Sequence, residues 1–403
     1  MRGVIRLTTL EIKEMANNYL INNYGERQIA LVRGEGAYVW DADGKKYLDF
    51  VAGISTVNVG HCHPNIVKAI TEQAKTLIHV SNLYYIEPQV KLAKRIVELS
   101  FADKCFFCNS GAEANEAAIK VSRKYSKEKF GEGKFEIITM LKSFHGRTMA
   151  TITATGQPKY HKGFEPLSPG FKYVPFNDLK ALEDAITDNT CAVLVEPIQV
   201  EGGINIPDED YLPGLRKLCD KNNLILIFDE VQTAMGRTGK LFGYEIFNVE
   251  PDIITMAKAL GGGVPIGCMA TRANIAESLT PGSHASTFGG NPLVCSASLA
   301  TINTIIDEKL PENAQRIGKY LVEKLLSLKE KFPIIKDVRG RGLIIGVELS
   351  IDGKEIVNQA MKSGLILNCI GTNVLRFVPP LIVNESHVDE AIAIFEKVLS
   401  SNL

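Results

Sequence analysis

Three short stretches hold residues whose types and spacing could do chemistry together. The first is Asn109-Ser-Gly-Ala-Glu-Ala114, which follows the apolar run 105–108 and opens a helical pattern over 113–125. A phosphate needs several N–H donors converging on it, and a helix N-terminus that starts with small residues supplies them. Ser110, Gly111 and Ala112 fall at that turn, although alone they read equally well as an ordinary Ser-capped helix. The second stretch is Asp229-Glu230, closing the apolar run 224–228. An aspartate at a buried strand end can meet a protonated ring nitrogen; alone, the pair could also be a helix cap or a metal ligand, but no His or Cys cluster at ligand spacing accompanies it. The third is Lys258, between the apolar run 253–256 and Gly261-Gly-Gly263. A lone lysine there is usually a surface residue. Together, a phosphate cup, a strand-end carboxylate and a strand-end lysine form the set that pyridoxal phosphate needs, with Lys258 carrying it covalently and serving as general base.

Such groups meet only if a scaffold brings several strand ends to one edge. Apolar runs at 105–108, 135–140, 192–195, 224–228 and 253–256 alternate with helical patterns near 64–79, 88–99 and 113–125. That alternation predicts an α/β fold with a mostly parallel sheet covered by helices, its cleft at the polar residues that follow the strands. Residues 37–50 set two aromatic, β-branched runs around Asp43-Gly44, a hairpin signal. Long helical patterns return over 292–332, and strands of hairpin character follow over 334–383. A chain of 403 residues exceeds the size at which one core stops growing. We therefore read 1–60 as the N-terminal part of a small α+β domain, 61–291 as a large cofactor-binding domain, and 292–403 as the rest of the small domain.

Lys and Arg number 45 against 46 Asp and Glu, a formal charge of -1, which offers no field for gripping nucleic acid or an anionic membrane. The eight cysteines are scattered and mostly lie in apolar runs, the pattern of reduced thiols in a cytoplasmic protein. Residues 1–10 hold no apolar core long enough for a leader, and no apolar run is long enough to span a bilayer. Three further signals are set aside. Cys105 and Cys108 have redox spacing but no second pair. Gly340-Arg-Gly-Leu-Ile-Ile-Gly346 looks like a dinucleotide loop yet leads into more strand, so the glycine fingerprint of a nicotinamide-dependent dehydrogenase is missing. His61 and His63 read as residues that position the helix starting at Pro64.

Longer blocks surround these residues: Arg33-Gly-Glu-Gly36, Gly60-His-Cys-His-Pro64, Phe144-His-Gly-Arg-Thr148, Val195-Glu-Pro-Ile-Gln199, Phe228-Asp-Glu-Val-Gln232, Ala257-Lys-Ala-Leu-Gly-Gly-Gly263, Ser286-Thr-Phe-Gly-Gly-Asn-Pro292 and Leu375-Arg-Phe-Val-Pro-Pro380. In these, over nearly its whole length, the sequence resembles the class III (ω-amino acid) aminotransferases of fold type I. The resemblance implies that Ser110, Gly111, Ala112, Asp229, Glu230, Val231 and Lys258 surround pyridoxal phosphate, Phe144 stacks on its ring, Gln232 reaches the ring hydroxyl, and Thr287 binds the phosphate across a homodimer interface. It implies Arg147 for the substrate's α-carboxylate, with Ser286 and Tyr24 near the substrate. Glu201 and Arg376 match a switch in which the glutamate masks the arginine until a dicarboxylate arrives; a buried arginine left unpaired costs about 3–5 kcal/mol. The implied reaction passes the terminal amine of N2-acetylornithine to 2-oxoglutarate, a step of arginine biosynthesis. Ornithine, succinylornithine, succinyldiaminopimelate and 4-aminobutyrate stand as alternative donors. Val200 stands where the family often has Gly, and Ile86 where close relatives often carry Asn.

Overall fold

In the computed structural model, residues 7–401 are described. Positions 1–6, part of the stretch read above as lacking a leader, lie outside the described residues.

Seven strands form the main sheet, in the order Lys104–Cys108, Gly267–Thr271, Ile253–Met256, Ile225–Asp229, Thr190–Val195, Glu136–Met140 and Phe171–Val174. Gly267–Thr271 runs antiparallel to both its neighbours, and every other adjacent pair is parallel. The three strands at the centre are buried along their full length. Successive side chains of a strand point to opposite faces, and the cores follow that period. Val193, Val195, Leu226 and Phe228 enter one apolar cluster, while Ala192, Leu194, Ile225 and Ile227 enter another on the opposite face. Helices cover both faces, which is why these runs show no polar alternation. Truncating Leu226 or Ile227 to Ala would cost about 2–5 kcal/mol.

Helix Gly111–Phe130 lies on the second face and buries Ala114, Ala117, Ala118 and Val121, one stripe at i, i+3, i+4 and i+7. Its small residues let it sit close to strands Ile253–Met256 and Gly267–Thr271. On the other face, helix Pro292–Asp307 lies against Pro64–Thr76 and Glu87–Leu99.

Two smaller sheets complete the chain. Leu31–Glu35, Tyr38–Asp41 and Lys46–Asp49 form an antiparallel meander, its second turn at Asp43-Gly44, and Leu365–Ile366 joins Lys46–Asp49 in parallel. Ile335–Arg341, Ile344–Leu349, Val374–Phe377 and Asn368–Ile370 form an antiparallel sheet. The glycine-rich run at 340–346 is a hairpin within it, turning at Gly342 with φ of 55°. His63 caps helix Pro64–Thr76 by accepting the Asn65 N–H, and His61 meets Asp49 at 2.7 Å. All eight cysteines are free, and no group of three metal-binding side chains occurs among the described residues.

Candidate active site

A cleft of about 440 Å³ opens where the strands Ile225–Asp229 and Ile253–Met256 end and the helix Gly111–Phe130 begins. At the helix start, the Ser110 hydroxyl accepts the Glu113 N–H at 3.2 Å, and the Glu113 carboxylate accepts the Asn109 N–H at 3.0 Å. This cap leaves the N–H groups of Gly111 and Ala112, the first two helical residues, without any intrahelical carbonyl to bond. Both residues line the cleft. Gly111 is required by contact, because a Cβ there would lie 2.8 Å from Val231 Cγ2.

Asp229 ends its strand inside the cleft and is almost fully buried. Its Oδ2 accepts Asn115 Nδ2 at 2.7 Å and lies 2.8 Å from His145 Nδ1, and its Oδ1 accepts the Val231 N–H at 3.1 Å. Asn115 is fixed in turn by Thr255, whose hydroxyl donates to it at 2.7 Å, and His145 meets Thr139 at 3.1 Å. Lys258 follows strand Ile253–Met256 in a left-handed backbone conformation, φ 43°, a strained placement for a lysine. Burial pushes its amine down to about 8, with Glu201 opposing that shift and Arg376 adding to it. Glu196 also lines the cleft and accepts the Phe144 N–H at 3.1 Å; burial, then the nearby Asp229 charge, hold its carboxyl well above the usual range. Gln232 donates to Glu201 at 3.1 Å, and its Oε1 is buried with no partner among the described residues. Free helix N–H groups, a carboxylate at a strand end, a low-pKa lysine and an orphaned amide oxygen in one cleft fit pyridoxal phosphate.

Two arginines attend the site differently. Arg147 is exposed at the cleft, 4.1 Å over the Tyr160 ring and 5.5 Å over Phe144. No carboxylate pairs with it among the described residues. Arg376 is buried in strand Val374–Phe377; its Nη1 meets Glu201 Oε1 at 2.5 Å and its Nε donates to Asn368 at 3.0 Å. Burial pushes the Glu201 carboxyl up, but Arg376 and Lys258 outweigh this and hold it below the usual range. Val200 does not disturb the pair: it is buried among Ile198, Ile204, Val374 and Val378, beside the Arg376 strand.

The other expected residues fall into two groups. Ser110, Phe144, Val231 and Gln232 line the cleft with those above. Glu230 turns away from it, its carboxylate accepting the N–H groups of Gly243 at 2.5 Å and Tyr244 at 2.8 Å. Burial pushes that carboxyl up to about 7 against those two bonds. Ser286 accepts Asn109 Nδ2 at 3.2 Å beside the helix start, whereas Thr287 and Tyr24 are exposed and outside this chain's own cleft. Sequence reasoning missed Asn115, His145, Glu196 and Tyr160. His145 and Glu196 stand inside the quoted blocks, and Asn115 directly follows the stretch 109–114; Tyr160 carries no local signal.

The family model for class-III aminotransferases matches residues 19–399, and the chain belongs to that family. An acetylornithine aminotransferase of Methanocaldococcus jannaschii is 54% identical over 387 residues, 96% of this chain and 97% of that protein. Among solved structures, an acetylornithine aminotransferase from Elizabethkingia anophelis is 35% identical with a TM-score of 0.89, covering 98% of this chain and 100% of that one. An ornithine aminotransferase from Toxoplasma gondii, with PLP at partial occupancy in its active site, is 34% identical with a TM-score of 0.94, covering 98% and 95%.

Proposed function

We propose that this aminotransferase moves the terminal amino group of N2-acetylornithine to 2-oxoglutarate, giving N-acetylglutamate 5-semialdehyde and glutamate. The observation that carries the reading is the one cleft in which Asp229, Lys258 and the free N–H groups of Gly111 and Ala112 meet. Likeness at 54% to an acetylornithine aminotransferase supports the choice of donor. Bound there, pyridoxal phosphate supplies an electron sink for the carbon that gains or loses a proton. Gly111 and Ala112 would hold its phosphate, Asp229 would keep its ring nitrogen protonated, Phe144 would cover the ring and Gln232 would meet the ring hydroxyl. The Lys258 amine, held low by burial in the cleft, would serve as the general base that takes and returns the proton at the substrate carbon. Arg147 takes the α-carboxylate. Arg376 exchanges Glu201 for the distal carboxylate of 2-oxoglutarate, and Glu201 covers the arginine again when the acetylated donor enters.

A homodimer completes each site, with Thr287 of the partner subunit on the phosphate. Phe288 next to Thr287, Leu83 at 84% and Tyr85 at 102% accessibility are exposed apolar side chains that a second copy would cover. We assign the protein to the cytoplasm on its eight unpaired cysteines, and its net charge of -1 speaks against nucleic acid or membrane as partner. No helix among the described residues is long and apolar enough to cross a membrane. Amine-donor profiling with 2-oxoglutarate as acceptor tests the reading. The expected result is a kcat/KM for N2-acetylornithine at least about tenfold above ornithine and 4-aminobutyrate, because acylation removes an α-ammonium that would need desolvation. Ornithine winning would refute the donor while leaving the family intact. Dilution to monomers should release cofactor, and a fully active monomer in analytical ultracentrifugation would refute the dimer.

A further inference from the structure

Arg237 lies five residues past Gln232, in the loop that leaves the strand Ile225–Asp229, and is completely enclosed. No carboxylate pairs with it among the described residues; carbonyl and amide oxygens from three other segments surround it instead. Nη1 donates to Leu343 O at 3.0 Å and to Pro379 O at 2.5 Å, and Nη2 donates to Asn58 Oδ1. The Arg237 carbonyl accepts the Leu343 N–H at 2.9 Å, so the hairpin turn is gripped from both sides. Asn58 closes the circuit: its Nδ2 donates to Met235 O at 2.9 Å, and its own carbonyl accepts the Leu381 N–H at 2.7 Å. Pro379 follows Arg376 by three residues. One guanidinium therefore ties the loop bearing Gln232 to the segment that carries Arg376.

This is a costly way to hold two pieces of backbone together. A buried cation bonded only to dipoles, with its Nε unpartnered among the described residues, is less stable than a well-packed apolar contact would be. Burial pushes the guanidinium down to about 9, Asp49 opposing it. What a planar fork supplies and an apolar residue cannot is fixed direction: its acceptors must lie in its plane at set angles. We propose that Arg237 is a positioning residue that sets where Arg376 stands beside the cleft, and thereby governs recognition of the acceptor's distal carboxylate. The proposal rests on the reading of Arg376 given above.

The test compares 2-oxoglutarate with pyruvate, a 2-oxo acid lacking the distal carboxylate, in the loaded dimer. Calorimetry of glutarate, an unreactive dicarboxylate, gives a second readout that needs no turnover. Arg237→Gln should raise the KM for 2-oxoglutarate and the Kd for glutarate by about tenfold, the size of one weakened charge-assisted bond. The KM for pyruvate and the donor half-reaction should stay unchanged. Arg237→Lys, keeping the charge and part of the donor set, should restore part of the loss, and Asn58→Ala should shift the same ratio less. If Arg237→Gln does not fold, the other two variants decide by that ratio. Equal losses for both acceptors, or a lower Tm with an unchanged ratio, overturn the proposal. Arg376→Gln runs in parallel: if it leaves the ratio untouched, the reading of Arg376 falls and the proposal with it. If it shifts the ratio while the Arg237 and Asn58 variants do not, the proposal falls alone.

Discussion

On the floor of the cleft, Asp229 is gripped by Asn115, His145 and the Val231 N–H, each fixed by elements of the main sheet and its helices. In the wall, behind the lining residue Gln232 that donates to Glu201, Arg376 is held mainly by Glu201, which comes from another part of the chain and keeps 22% of its side chain accessible. The two arrangements treat buried charge oppositely. A carboxylate that must stay in one state is surrounded by several donors that cannot leave together. Arg376, which we propose changes partners, has one charged partner, and in that proposal a substrate carboxylate would replace it. The adjacent Glu230 shows that position in sequence does not decide the use, since it spends its carboxylate on two backbone N–H groups of a loop.

The largest effect should come from the floor. Lys258→Ala should lose turnover by about 10²–10⁴-fold, the range for a removed general base, while the protein still binds cofactor through Gly111, Ala112 and Asp229. Borohydride reduction of the loaded wild-type enzyme should place a pyridoxyl group on Lys258, and peptide mapping that found it on another lysine would reassign the site. On the wall, Glu201→Ala leaves Arg376 buried without its anion. A loss near the lower end of about 3–5 kcal/mol is expected in urea unfolding, because water reaches part of this pair. A loss below that of an exposed ion pair, about 1 kcal/mol, would mean that the wall is softer than the contrast requires.

At the mouth, Arg147 rests on Tyr160, and no carboxylate among the described residues pairs with it. Arg147→Ala should therefore lower kcat/KM for a donor bearing an α-carboxylate by at least about tenfold, with stability unchanged. A matching fall in Tm would make Arg147 structural.

A further effect lies in pH and is read on stability alone. In the cofactor-free protein, the Lys258 amine sits near 8 against an ordinary 10.5. Below about 8 it is protonated in folded and unfolded chains alike, so its burial cost is fully present. Between about 8 and 10.5 only the unfolded chain holds the proton, and the cost is relieved as pH rises. Lys258→Met should thus stabilise the cofactor-free protein most below pH 8, with the gain fading toward 10.5 in thermal melts. A pH-independent gain would contradict the lowered amine.

The sequence by itself determined which residues stand at strand ends and helix starts. Asp229, Lys258 and the Ser110-Gly111-Ala112 turn were readable because apolar runs, caps and glycines act on immediate neighbours. The central strands and the hairpin at Asp43-Gly44 were legible for the same reason. Gly267–Thr271 was not: Gly-Cys-Met-Ala-Thr has little β-propensity, and it is a strand because two buried strands pair with it. Only the tertiary structure decided that Asn115 and His145 close on Asp229 from 114 and 84 residues away, and that Arg237 reaches Asn58 across 179. It also decided that Glu230 faces away and that Thr287 lies outside its own chain's cleft. Such contacts depend on strand order and on helices laid across several strands, so no pattern of neighbouring residues encodes them.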